Sequence, residues 1–133
     1  MLETFNREEK SLIIRSSFAS KAFLEKLNQW RESNLFTDVV LSSDGMEMSA
    51  HKVILSCISP YFEAMFCGNF AEKSRTSNDK ISIGGVTGTA LKLILDYIYS
   101  GVLKITMENA EELLQIADLL LLEQVIDKTH FWS

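Results

Sequence analysis

Asp38, His51 and Lys52 are the residues of this chain whose types could do acid–base chemistry together, a carboxylate and two basic groups close in sequence. Asp38 sits in an apolar, β-branched stretch, so its carboxylate is expected to be partly buried and to need a partner. The trio reads as a structural polar cluster, with a pocket role as the alternative. Metal and nucleophile chemistry find less support. Cys57, Cys67, His51 and His130 are scattered, without C-x-x-C or H-x-x-x-H spacing. Cys67 falls at a helix end with no neighbouring His to activate it. Both thiols read as small buried hydrophobes rather than a disulfide pair, which fits a reducing compartment. Gly84-Gly85 and Gly88 lie in a strand-to-helix turn with no following Lys-Ser or Lys-Thr, so no phosphate loop is present. The chain is expected not to be an enzyme, and to use no metal, cofactor or small-molecule substrate. Its function must be argued as binding.

Composition narrows the partners. The chain has 133 residues, 47% hydrophobic and 23% charged, enough for one domain with a real core. A net charge of -5 gives little electrostatic reason to bind nucleic acid or an anionic membrane. No apolar stretch approaches the roughly 20 residues of a membrane span, and the beginning MLETFNREEK lacks the apolar core of a signal peptide. An intracellular setting, cytoplasmic and/or nuclear, is the expectation.

The elements that must position these groups follow from pattern. Residues 1–10 are polar and read as frayed, and Leu12–Ile14 is an apolar run open to strand or helix approach. From Phe18 to Trp30 the spacing predicts a helix with the stripe Phe18, Ala22, Phe23, Leu27 and Trp30. Thr37–Leu41 and Met46–Ser49 read as strands joined by an Asp44-Gly45 hairpin turn. A helix over His51–Ile58 presents Val53, Ile54, Cys57 and Ile58. Ser59 is placed to cap a further helix with Pro60 in its first position, carrying Tyr61, Phe62, Met65 and Phe66.

Gly68–Asp79 is polar and reads as the longest loop, followed by a strand over Lys80–Gly84. A helix over Thr87–Tyr99 ends at Gly101, and Val102–Ile105 reads as a small strand. Asn109 and Glu112 have the spacing of a capping box opening another helix. The all-apolar Leu119–Leu122 run predicts a helix end buried on several sides. A last helical segment spans Glu123–Phe131. The total is an α+β chain, a small and mostly three-stranded sheet with about five to six helices.

The helical stripe carries more than a flank needs. Two phenylalanines and a tryptophan at the edge of a small domain would expose an apolar patch of several hundred Å² unless covered. A symmetric dimer covers the same patch on both subunits. The stripe is therefore either the face of an ordinary helix docked on its own core or a candidate dimer interface.

The ordered series TDVVL, AHKVILSCISPYFEAMF, LILDYIYSG and NAEELLQIADLL resembles the BTB (POZ) domain. The first helix, with Leu27-Asn28 and Arg31, is similar to the start of that domain in BTB-BACK-Kelch proteins. The resemblance implies a BTB domain over 18–133, preceded by an extension over 1–17 that holds a candidate swapped strand. It implies homodimerisation through the first helix, with Ile13 in a strand paired to the partner's Val102–Ile105. It also implies recruitment of the cullin-3 N-terminal domain, making the protein a substrate adaptor of a cullin-RING ubiquitin ligase. Kelch-type members carry a hydrophobic-x-Glu motif in the cullin contact, and Phe70 and Glu72 match it. Tyr61 and Tyr99 are secondary candidates for that face, or half-buried structural tyrosines. In the family the residues matching Asp38, His51 and Lys52 are chiefly structural. The chain departs from the pattern at Glu123, where Gln is usual, and at Thr129, where a Cys is usual. The alternatives are a transcriptional repressor's dimer that binds a co-repressor peptide, and a pure dimerisation module of a cytoskeletal Kelch protein.

Overall fold

Asp44 and Gly45 both take positive φ, 51° and 81°, the pairing a two-residue type I′ turn requires. The turn joins β3 (Val39–Ser43) to β4 (Met46–Ala50) antiparallel, with Ser43 opposite Met46. The computed structural model containing this hairpin describes residues 2–8, 10–15, 19–67 and 79–130. β3 is the middle strand of a three-stranded sheet of order β4-β3-β5, with β5 (Asp79–Ser82) parallel to it. Alternation along β3 sends Val39, Leu41 and Ser43 inward.

Helices cover the inner face of that sheet. Before it runs α1 (Ala19–Glu32), and after β4 come α2 (Lys52–Ile58) and α3 (Pro60–Cys67). Ser59 caps α3 as its chemistry suggests, with the Phe62 amide donating to Ser59 Oγ at 3.3 Å. The same hydroxyl donates to the Leu120 carbonyl at 2.7 Å. The longest buried face belongs to α4 (Gly88–Ser100), through Leu91, Ile94, Leu95, Ile98 and Tyr99. Thr87 Oγ1 accepts from the Ala90 amide at 3.2 Å at its start, and Gly101 closes it at φ 77°. The chain finishes its described part with α5 (Ala110–Leu120) and α6 (Glu123–His130), packed on each other.

Several elements depart from expectation. The polar beginning is not frayed: β1 (Leu2–Asn6) pairs antiparallel with β2 (Ser11–Arg15), placing Leu12–Ile14 in a strand. Val102–Ile105 forms no strand, because no neighbouring strand of its own chain lies alongside it among the described residues. Asn109 and Glu112 form no capping box. Asn109 Oδ1 instead accepts the Thr106 amide at 2.8 Å, and Glu112 accepts the Thr87 amide at 2.8 Å, tying α5 to the start of α4. In the Leu119–Leu122 run only Leu120 and Leu122 are buried. Leu121, at φ 59°, ends α5 in a left-handed turn that leaves it and Leu119 exposed. α2 is held by buried Leu55 and half-buried Ile54, while Val53, Cys57 and Ile58 lie exposed. Cys67 is exposed as well, so neither thiol is a core residue.

Candidate interaction surface

The first helix docks through one side and leaves the other bare. Leu27 packs on the core, and Arg31 anchors the helix's C-terminal end. Its guanidinium donates to Asp96 Oδ1 at 2.7 Å and to Asn28 Oδ1 at 2.6 Å, and stands 4.8 Å above the Tyr99 ring. Burial pushes the Asp96 carboxyl upward, but Arg31 and Lys92 outweigh it and hold it below the usual carboxylate range.

Ala22 and Phe23 lie on the uncovered side, Phe23 at 68% exposure. Trp30 is half-buried and meets Phe36 edge-on at 5.0 Å. Phe36 is itself 69% exposed and carries a left-handed backbone at φ 62°. Of the proposed interface, Ala22 and Phe23 are thus open, Leu27 is spent on the core, and Trp30 is shared with Phe36. Phe18 lies outside the described residues. Ile13, in β2, is exposed.

The structure brings Asp38, His51 and Lys52 together around the start of α2. Asp38 Oδ1 accepts the Lys52 amide at 2.7 Å, so a strand residue caps a helix whose own N-cap, His51, makes no side-chain cap bond. Lys52 Nζ reaches Asp79 at 2.9 Å and lies over the Phe66 ring. His51 is buried, with Nε2 3.0 Å from the Leu35 carbonyl and Nδ1 2.6 Å from the Tyr99 hydroxyl. Desolvation raises the Tyr99 phenol to about 12, against the lowering effects of the His51 amide and Arg31. Asp38, His51 and Lys52 thus each hold a partner within the fold, as a structural cluster does.

Of the residues suggested for a second partner, Tyr99 is a correction. Only 1% exposed, it cannot reach a surface contact, because its ring fills the core and its hydroxyl serves His51. Tyr61 is half-buried against Phe62 at 5.4 Å. Phe70 and Glu72 lie outside the described residues. Near α3, a groove of 390 Å³ runs between Ile58, Pro60, Tyr97, Leu121 and Gln124. Among the described residues no group of His, Cys, Asp and Glu is arranged to hold a metal, and no helix is long and apolar enough to cross a membrane.

Exposed Val53, Phe36 and Val102 were not singled out by pattern as surface residues. Helical spacing placed Val53 on an apolar face without saying that the core takes the neighbouring face instead. Nothing local marks Phe36, whose outward setting comes from the left-handed backbone.

A protein-family model described as the BTB/POZ domain matches residues 27–131. Kelch-like protein 2 of Homo sapiens is 36% identical over 90% of this chain, which spans 20% of that relative's length. Among solved structures, the BTB domain of zebrafish PATZ1 superposes at a TM-score of 0.79 with 28% identity, covering 90% of this chain and 95% of that one. The BTB domain of human gigaxonin superposes at 0.75 with 28% identity, covering 92% and 98%.

Proposed function

The chain belongs to the BTB/POZ domain family, and from that premise we propose a homodimeric protein–protein interaction module that forms the cullin-3-binding end of a cullin-RING ubiquitin ligase adaptor. The observation that carries the dimer is the uncovered face of α1, where Phe23 stands 68% exposed. A side chain of that size left in water on a helix already docked through its other side calls for a cover. A two-fold partner supplies it with the same surface. The strand β2 adds to the interface by pairing with the partner's Val102–Ile105.

The cullin reading is supported by the Kelch-like relatives and by Phe70 and Glu72, whose spacing is similar to the Kelch-type motif. An aromatic anchor with one carboxylate beside it is sound hot-spot chemistry. Tyr61 is half-buried in α3, and a groove lined by Ile58, Pro60, Tyr97 and Leu121 lies at the start of that helix. The setting is intracellular.

Isothermal titration of the chain with the cullin-3 N-terminal domain tests the reading, beside the Phe70→Ala, Glu72→Ala double variant. Submicromolar binding that the variant loses while remaining dimeric supports it. No heat from a folded dimer overturns the cullin assignment. The second reading is a co-repressor peptide in the 490 Å³ groove lined by Leu24, Glu25, Asn28 and Ser100 between α1 and the end of α4. Peptide binding without cullin binding selects it.

A further inference from the structure

One edge of the three-stranded sheet ends in backbone groups that nothing takes up. β5 pairs with β3 on one side, and among the described residues no strand lies on the other. The Ile83 amide donates to the Ser42 carbonyl at 2.8 Å, so the period of two turns the Ile81 backbone toward β3 as well. The backbone groups of Lys80 and Ser82 face the open side. Among the described residues no hydrogen bond reaches them there. The exposed Lys80 side chain is engaged elsewhere, in an ion pair with Glu47 of β4.

The end of that edge opens into a cleft. About 670 Å³ of space lies between the β3–β4 turn, the segment 82–87 and the residues that open α5. Ser82 belongs to both the edge and the cleft. Gly84 and Gly85 line it too, and no atom stands within 4 Å of the place a Cβ would take on either. Asp44, Glu108, Glu111 and Glu112 complete an acidic wall, and no lysine or arginine joins them among the described residues. Glu112 is spent on the Thr87 amide. Asp44, Glu108 and Glu111 are exposed and take part in no ion pair among the described residues.

We propose that the open edge of β5 docks an extended, lysine- or arginine-bearing segment of another protein, paired to Lys80 and Ser82 and anchored by its basic side chains in the acidic cleft. This goes beyond the dimer and cullin readings and depends on neither. The edge selects a polypeptide, because outward donors and acceptors recurring about every 6.6 Å match the ladder of another strand. The cleft selects the sign of its charge. Three carboxylates with no cation among them repel one another until a cation enters. Glu47 neutralises Lys80, the one cation on the edge that opposes a basic strand. A second copy of this chain is the poorer occupant, since its net charge of -5 sets like charges against these acids. With an edge only four residues long, pairing alone holds a strand weakly, so the cleft decides which segments stay.

The test is an NMR titration of the isotope-labelled full chain with a short blocked peptide alternating lysine and valine, beside its glutamate–valine counterpart. The expected result is a set of shifts centred on the Lys80, Ser82 and Gly84 amides, slower exchange of the first two, and no response to the glutamate peptide. Glu108→Gln with Glu111→Gln is expected to weaken binding about tenfold, the scale of two exposed charge contacts. Ser82→Pro removes the outward N–H and keeps the bonds to β3, so binding is lost while the melting temperature holds. The glutamine pair, which leaves the backbone alone, decides the matter if Ser82→Pro melts early. No binding at millimolar peptide, shifts that leave β5 untouched, or equal affinity for the glutamate peptide overturns the proposal. Lys80 and Ser82 amides already protected in the peptide-free protein overturn it as well, whether a second copy or the chain itself covers the edge.

Discussion

The hydroxyl of Tyr99 receives the His51 amide at 3.0 Å and lies 2.6 Å from His51 Nδ1, joining the end of α4 to the start of α2. With the amide as donor, the phenol proton goes to Nδ1 and the imidazole proton to Nε2, which donates to the Leu35 carbonyl. One hydroxyl therefore fixes a helix start, a histidine tautomer and the loop before β3.

Tyr99→Phe keeps the ring and removes that hydroxyl, leaving two buried polar groups of His51 unpartnered. The expected cost is about 1–3 kcal/mol of stability. Urea unfolding of the two proteins at neutral pH measures it, with an unchanged slope if the folded state is otherwise the same.

The same phenol makes stability fall in alkali. Its folded pKa is raised to about 12 from an ordinary 10.0, so the folded chain keeps the proton that the unfolded chain loses first. The contribution is complete below the unfolded value and is lost as pH climbs through that window. Thermal melts across the window show a decline for the wild-type protein that is absent in Tyr99→Phe.

Acid acts in the opposite sense through Asp96 and Glu112. Hydrogen bonds from the Thr87 hydroxyl and amide lower Glu112, and Arg31 with Lys92 lowers Asp96 against its burial. Both contributions are present above the ordinary carboxylate range and fade as pH falls through the lowered folded values. Asp96→Asn and Glu112→Gln flatten the acid limb of the melting curve. An acid limb identical to wild type in both variants contradicts this assignment.

Phe23→Asp separates assembly from folding. Phe23 is 68% exposed in the single chain, so the substitution leaves the core untouched. In a dimer closed over α1 it places two unpaired carboxylates in a desolvated interface. Sedimentation equilibrium is expected to give monomers, with circular dichroism unchanged; a clean dimer moves the interface elsewhere.

Gly88 opens α4 against the side chain of Met46, and a Cβ there would collide with Met46 Cβ, Cγ and Sδ. Gly88→Ala is expected to cost about 1–3 kcal/mol by overpacking. Met46→Ala, added to it, removes the Cγ and Sδ collisions but keeps the Cβ contact, so it restores only part of the loss in the same unfolding assay.

What could be read from the sequence was chemistry that closes within a few residues. Asp44-Gly45, Ser59-Pro60 and Gly101 each carry the backbone or hydroxyl requirement of their own turn or helix end, and each is found at its post. Readings failed where a distant group competed. Asn109 and Glu112 have capping-box spacing, yet Thr106 and Thr87 claim them. Tyr99 looked like a surface candidate because its partner, His51, lies 48 positions away. β1 was missed since its polar residues match no strand alternation, and its pairing is supplied by β2. At the candidate surface the stripe identified α1 as the helix, but Leu27 faces the core while Phe23 faces outward. That division depends on where Arg31 meets Asp96, which no local pattern records.

Ser59 Oγ accepts from Phe62 while donating to the Leu120 carbonyl, so one atom serves the first turn of α3 and the last turn of α5. Neither helix end can open while the other stays intact without stranding a buried hydroxyl. The two ends therefore behave as one cooperative opening unit, although 61 positions separate the bonded residues. In native-state hydrogen exchange, the protected amides at the start of α3 and the end of α5 should share one opening free energy, and Ser59→Ala should split it in two.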